Sequence, residues 1–244
     1  MTAMIDERSE EMEGGDPAGL AGGAGGNAPR GIVHRDARCA VVDKPSGLAT
    51  HRGWDGGDDA LLQRVRDAVG CYVYPVHRLD RGASGLVVFA LDAEAARALA
   101  AAWPDADKRY LAITRGHPPD HAVIDHPIPR APGEDRVAAR TELWRRETFG
   151  RYALVEARLH TGRLHQIRRH LKHISCPLIG DVRYGKGEHN RIFRTEHGLS
   201  RLALHCTRIA VAHPDGGELA VTSALPADLA AALASCRLRY AASP

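Results

Sequence analysis

The sequence contains no run of about 18 apolar residues, which excludes a membrane-spanning helix. Its opening stretch, MTAMIDERSEEMEGG, is acidic and lacks the apolar centre of a secretory signal, so the cytoplasm is the expected compartment. No two of the five cysteines form a CxxC pair. Cys39, Cys71, Cys176, Cys206 and Cys236 are scattered and odd in number, and they read as reduced thiols rather than as disulfides or a cysteine metal site. No GxxxxGK[ST] or GxGxxG stretch offers a cradle for phosphates, so no nucleotide cofactor is expected. A GxSxG elbow is absent, and Ser84, in GASGL, is a poor match to a hydrolase nucleophile. HExxH is also missing, and the uneven spacing of His165, His170 and His173 gives no zinc pattern, so no metal is expected.

What remains is a chain of 244 residues, long enough for a sizeable core, with ordinary hydrophobic (44%) and charged (26%) content for a globular protein. The net charge of +3 hides an asymmetry. Residues 1–30 hold six acids against Arg8 and Arg30, so 31 of the 33 basic and 24 of the 30 acidic residues lie in the remainder, a net of +7. A basic body with an acidic end suggests a polyanionic partner. The Gly/Ala-rich stretch GGDPAGLAGGAGGNAPR has no periodicity, so residues 1–30 are expected to form a disordered tail. Deleting residues 1–28 should therefore leave melting temperature and activity nearly unchanged, and a large fall in melting temperature would show the tail to be part of the fold.

No repeat or linker divides the rest, and residues 31–244 are expected to form one α+β domain dominated by antiparallel strands. Two strands flank the turn Asp36-Ala37-Arg38. A helix follows, with Asp58 or Asp59 as N-cap and Leu61, Leu62, Val65 and Val69 on one face. The apolar run 86–91 predicts a strand leading into a helix from Asp92 that Pro104 ends. Strands are expected over 108–116, 121–129, 136–147 and 151–160, then a helix over 163–173 capped by Thr161. Two strands joined by Pro214-Asp215-Gly216-Gly217 and a helix from Pro226 complete the chain.

Three stretches carry chemistry. In PVHRLDRGASGL, Asp80 stands between Arg78 and Arg81 with His77 just before, where Gly82 and Gly85 permit a sharply shaped loop. The plain reading is a turn aspartate bonding its own backbone; the other is an acid held in place because it reacts. In DKPSGLATHRGW, Lys44, His51 and Arg52 surround a tight Pro45–Gly47 turn. In HTGRLHQIRRHLKHISCPLIGD, Leu164, Ile167, Leu171 and Ile174 make an inward stripe with Arg168 at its edge. An arginine there needs a carboxylate or phosphate because it cannot shed its charge, and Asp80 is the candidate partner.

HRLDRGASGL resembles the HRLDxxTSGL signature of the RluA-type pseudouridine synthases. DKPSGLATH, KRYLAITRG, TGRLHQIRRHL, PLIGD and RLALHC resemble that family's other blocks, in its order, over about residues 31–226. Within the family, THRGWDGGDD and RTEHGLSRLALHC look most like the subgroup acting on the uridine at position 65 of tRNA. The resemblance implies a mixed, mostly antiparallel sheet with a central active-site cleft, an RNA partner (tRNA first, rRNA as the alternative), no cofactor and a monomer. It implies that uridine's glycosidic bond breaks, the uracil turns, and C5 rejoins C1′. By position, Asp80 becomes the catalytic carboxylate, Arg168 its ion-pair partner, and Tyr110 and Leu204 the residues against the base. Arg78 would fill the space left by a flipped base. Lys44, His51, Arg163 and Arg169 would meet phosphates, and His77, His165 and Gln166 would complete the substrate contacts. Ala83 stands where the family usually has threonine, so a looser Asp80 loop is expected. Two other readings stay open: an RNA-binding protein without catalysis, and a glycosidase using Asp80 with Asp43 or Asp181, since carbohydrate hydrolysis normally needs a second carboxylate.

Overall fold

The computed structural model describes residues 31–51, 59–130 and 133–240. The expected tail, Arg52 and Asp58 lie outside the described residues. Ten strands form one sheet in the order β1 (Ile32–Arg35), β2 (Cys39–Lys44), β4 (Ser84–Ala90), β11 (Leu204–Ala212), β5 (Asp107–Arg115), β10 (Tyr152–Leu159), β9 (Arg140–Phe149), β6 (His121–Asp125). Strand β3 (Tyr74–Pro75) adds to β4, and β12 (Glu218–Thr222) to β11. Every pairing in this sheet is antiparallel except β4 with β11, which run parallel through His205–Ser84 and Cys206–Gly85. A separate ribbon pairs β7 (Ile128–Pro129) with β8 (Arg136–Val137). The expected mixed, mostly antiparallel α+β architecture is the observed one.

The sequence pattern accounts for the layering. Strands β2 and β4 are buried at every residue; their apolar runs Cys39–Val42 and Leu86–Ala90 suit strands covered on both faces, while Asp43 and Lys44 at the end of β2 are buried charges. Strand β9 alternates over its first half, as a strand with one wet face does. Helix α2 (Ala93–Ala102) starts at Asp92, whose side chain accepts the Ala95 N–H, and Pro104 falls in the short 3₁₀ turn Trp103–Asp105 that follows it. Helix α5 (Ala227–Tyr240) buries Leu229, Ala232, Leu233 and Cys236, spaced as one helical face, against Ile113, Leu154 and Tyr152.

Several local expectations fail: the single strands expected over 121–129 and 136–147 are each broken in two, into β6 and β7 and into β8 and β9, where residues 126–127 and 138–139 leave the ladder. Helix α1 (Leu61–Val69) is preceded by Ala60 without a side-chain cap, because Asp59 pairs instead with Arg64 one turn on; Leu62 lies only partly buried beside Leu61, Val65 and Val69. Helix α3 (Gln166–His173) begins three residues later than expected, after His165 in the left-handed conformation (φ 54°). Thr161, the expected cap, bonds the Gln166 side chain. Helix α4 (Gly187–Glu196) was not expected, since it buries only His189 and Phe193 and so has almost no apolar stripe. All five cysteines are free, four buried and Cys71 exposed. No helix among the described residues is long and apolar enough to cross a membrane.

Candidate active site

The β3–β4 loop holds Asp80, and it is fixed by the block 43–50 rather than by its own sequence. The Lys44 ammonium lies fully buried and donates to the carbonyls of Ala83 (2.6 Å), Pro45 and Leu48 (2.8 Å each) and Arg81 (3.4 Å). Ser46 Oγ donates to Gly82 O (2.7 Å), Gly47 N–H to Arg81 O (2.7 Å), and Thr50 Oγ1 exchanges bonds with Leu79 (3.1 Å each). These contacts satisfy the loop's backbone and fix where Asp80 stands. At the loop's end Gly85 has φ 111°, and a Cβ there would lie 2.3 Å from Cys206 O; only glycine lets β11 approach so closely. Ala83 is buried, with its N–H on Asp80 O (3.0 Å), so the loop is held without a hydroxyl at that position.

Lys44 is therefore not a phosphate contact. Burial pushes its pKa down to about 7, against the pull of Asp80, and its donors are all engaged by carbonyls. Lys44→Met should lower stability by at least ~2 kcal/mol, because several buried carbonyls lose their donor, while RNA affinity is kept. A variant with the original melting temperature but weaker RNA binding, measured by calorimetry and filter binding, would return Lys44 to the RNA surface.

Helix α3 brings Arg168 to Asp80: Nη1 donates to Asp80 Oδ2 at 2.9 Å, as the stripe argument required. The same guanidinium makes a two-pronged contact with Asp181, Nε to Oδ2 at 2.7 Å and Nη2 to Oδ1 at 2.9 Å. Asp181 also accepts the backbone N–H of Arg183 (2.9 Å) and Tyr184 (3.0 Å). Burial alone would raise the Asp181 pKa, but the Arg168 contacts and these N–H groups outweigh it and hold the pKa below the ordinary carboxylate value. Tyr184 lies under the Arg168 guanidinium, 5.2 Å from ring centre, and its hydroxyl meets His165 Nδ1 (3.2 Å) and Arg169 Nε (3.0 Å). His165 Nε2 stands 3.8 Å from Asp80 Oδ1. Burial lowers the pKa of His165 despite Asp80, so the ring is neutral at pH 7.

Asp80, His165 and Arg168 open onto a cleft of about 610 Å³, the size of a small-ligand site. Asp80 is the only carboxylate among the described residues lining it. Tyr110 and Leu204 form apolar wall, and burial, then Cys206 and Asp80, hold the Tyr110 phenol neutral well above its ordinary range. Arg78 and Arg163 sit exposed at the rim, Arg163 with its Nε on Ala138 O (3.0 Å). His77 also lines the cleft, stacked on Trp103 (4.4 Å between centres), with Nε2 accepting the Val88 N–H (3.1 Å). Burial and the nearby Lys108 push its pKa down to about 3, so its ring is a neutral, committed wall.

Three further expected contacts are not free to meet substrate in the cleft. Gln166 faces the cleft but is buried, its amide taken up by Thr161, Arg163 N, Arg140 O and Thr141, which leaves it a bracing role. Arg169 does not line the cleft and donates to Tyr184 and Pro129 O. His51 is exposed and outside the cleft. Asp43 is buried with Ser223 on its Oδ2 (2.7 Å) and Asp181 is saturated as described; neither lines the cleft, so neither is placed as the second acid of a glycosidase. The sequence reading missed the bracing by Asp181 and Tyr184. The signal was available: five guanidinium N–H donors at a buried position exceed what one carboxylate accepts.

Comparison with known proteins fits this geometry. The RNA pseudouridylate synthase family matches residues 38–173. The chain is 36% identical over 208 residues to the tRNA pseudouridine synthase C of Pasteurella multocida, covering 75% of this chain and 86% of that one. To the protein of the same name from Vibrio parahaemolyticus it is 34% identical over 218 residues, covering 79% and 89%. Among solved structures it is similar to human RNA Pseudouridylate Synthase Domain Containing 4, with a TM-score of 0.70 and 26% identity over 85% of this chain and 93% of that one.

Proposed function

Because this chain belongs to the RNA pseudouridylate synthase family, we propose that it converts a uridine of tRNA, the one at position 65, to pseudouridine, with Asp80 as the reacting carboxylate and without a cofactor. The observation that carries this reading is that Asp80 is the sole carboxylate among the described residues lining the cleft and is anchored there by Arg168 on one oxygen only. Its other oxygen, Oδ1, has only His165 Nε2 nearby, at 3.8 Å and so beyond a hydrogen bond, and in this reading it is the one that meets the substrate. A single fixed carboxylate suits an isomerisation, in which the C1′–N1 bond breaks and a C5–C1′ bond forms. The proton lost at C5 is matched by one gained at N1, so no oxidant or reductant is needed.

The remaining side chains divide the work. Leu204 and the neutral ring of Tyr110 provide a flat, dry surface on which the detached uracil turns without leaving. A uridine in a stem must first leave the stack, at a cost on the order of a few kcal/mol. In this reading Arg78, exposed at the rim without an ion-pair partner among the described residues, enters the vacated space, and Arg163 meets a phosphate. The names of the relatives support tRNA as substrate. Carbodiimide mapping of pseudouridine across tRNA and rRNA, in cells with and without the gene, tests the proposal. A signal lost only at tRNA position 65 supports it in full. A signal lost elsewhere keeps the reaction and overturns the position; no lost signal, with no product from purified protein and bulk tRNA, overturns the reaction.

A further inference from the structure

At the opposite end of β2 and β4 from Asp80, three potential metal ligands converge, with a fourth within reach of one of them. Strand β2 pairs with β4 from Lys44–Gly85, beneath the Asp80 loop, to Cys39–Ala90 at the far end. There the β1–β2 turn carries His34, Asp36 and Cys39, whose donor atoms all lie within 4.8 Å of one another. His213, just past the end of β11, approaches the Asp36 carboxylate from the neighbouring β11–β12 hairpin. Three groups close on one oxygen, Asp36 Oδ2: His34 Nε2 at 2.8 Å, His213 Nε2 at 3.2 Å and Cys39 Sγ at 3.3 Å. Asp36 Oδ1 is already occupied by the backbone N–H of Arg38 (2.7 Å) and Cys39 (2.8 Å). The carboxylate thus meets five donors with about four lone-pair sites.

We propose that His34, Asp36, Cys39 and His213 form a site for a zinc-class divalent ion that clips the β1–β2 turn to the β11–β12 hairpin. Two imidazoles, a carboxylate and a thiolate are a donor set that such an ion accepts in tetrahedral array. Ligands at ordinary zinc distances stand about 3.3–3.5 Å apart, and the observed contacts to Asp36 Oδ2 lie at or just below that spacing. The surroundings favour a cation. Asp92, Glu94 and Asp215 all crowd the one Arg38 guanidinium beside Asp36, at 3.2, 3.0 and 3.3 Å, so acid is in surplus at this turn. His34 is about one-third exposed, which gives an ion a route in.

Binding displaces the Cys39 thiol proton and the imidazole Nε2 protons to solvent or to Nδ1. For His213 this also opens the contact in which Nδ1 accepts the Asp215 N–H (3.2 Å), so His213 is the weakest of the four ligands. The motif is short in sequence, H-x-D-x-x-C, but its fourth member lies 177 residues from Asp36.

The test uses the full chain, stripped with chelator and titrated with Co²⁺ and, separately, Zn²⁺. The expected result is a tetrahedral cobalt spectrum with a thiolate-to-cobalt band, and a melting temperature raised by Zn²⁺. Cys39→Ser should remove the thiolate band. His34→Ala should weaken affinity at least ~tenfold, and His213→Ala should weaken it while keeping the band. His34 is the variant of choice if Cys39→Ser fails to fold. Absence of both the cobalt spectrum and the Zn²⁺ shift would leave only a hydrogen-bonded turn. A thiolate band that survives both His34→Ala and Cys39→Ser would put the metal elsewhere; either result overturns the proposal. None of these readouts uses catalysis, so they stand apart from the role proposed for Asp80.

Discussion

Asp80→Asn should fold, bind tRNA and form no pseudouridine. The substitution keeps the shape of the side chain, and its neighbours are held independently of it. Arg168 retains both bonds to Asp181, and the loop backbone retains Lys44, Ser46 and Thr50. The lost Asp80–Arg168 contact, at a side chain 18% exposed, is the smaller part of what anchors that arginine. Asparagine, however, is neither a useful nucleophile toward C1′ nor a base, and no other carboxylate among the described residues lines the cleft to take over. The rate should fall by at least ~10³-fold, the scale of removing the group that reacts. Tritium release from uridine labelled at C5 reads the reaction directly, because that hydrogen is lost when C5 joins C1′. Filter binding and a melting curve show whether binding and fold survive. Release near the wild-type rate would remove Asp80 from the chemistry.

The parts of this site that local sequence could reveal are those decided by local physics. The run Leu86–Ala90 reads as a buried strand and is one, and Asp92 caps a helix from within three residues of the N–H it accepts. Arg168 was legible as a cation needing an acid because it sits at the edge of an apolar stripe on its own helix. Lys44 was not legible. A lysine before a proline reads as a surface charge, and its burial depends on carbonyls such as Ala83 O, 39 residues away. The start of α3 was hidden similarly: Gln166 takes the Thr161 hydroxyl and the Arg163 N–H, which folds 161–165 over the cleft instead of starting the helix. Helix α4 was missed because two buried residues, His189 and Phe193, make too short a stripe to show a period. The resemblance supplied residue roles but not their bracing, which only the packing displays.

That bracing leads to the second large effect, expected for Asp181→Asn. Asp181 has no exposed side-chain surface and takes two bonds from Arg168, itself only 10% exposed. Replacing its charge leaves a buried guanidinium with Asp80 as its only acid, and breaking a buried pair this way costs about 3–5 kcal/mol. Arg168 should then loosen, and with it the position of Asp80, so product formation should fall while tRNA affinity holds. The pH dependence separates this bearing role from a general loss of stability. The Asp181 pKa is lower in the folded state than its ordinary 3.8, so the unfolded chain binds a proton first as pH falls. The stability from this group is full above about pH 4 to 5 and drains as pH drops through the ordinary value toward the folded one. The wild-type protein should therefore lose more stability between pH 5 and 3 than Asp181→Asn, in which nothing at that position titrates. Denaturant melts across that range measure the difference. If the two curves fall in parallel and the variant keeps wild-type turnover, Arg168 does not depend on Asp181. Asp80 would then be positioned by the loop contacts of Lys44, Ser46 and Thr50 and by an Arg168 held in place by other contacts, the Tyr184 ring among them.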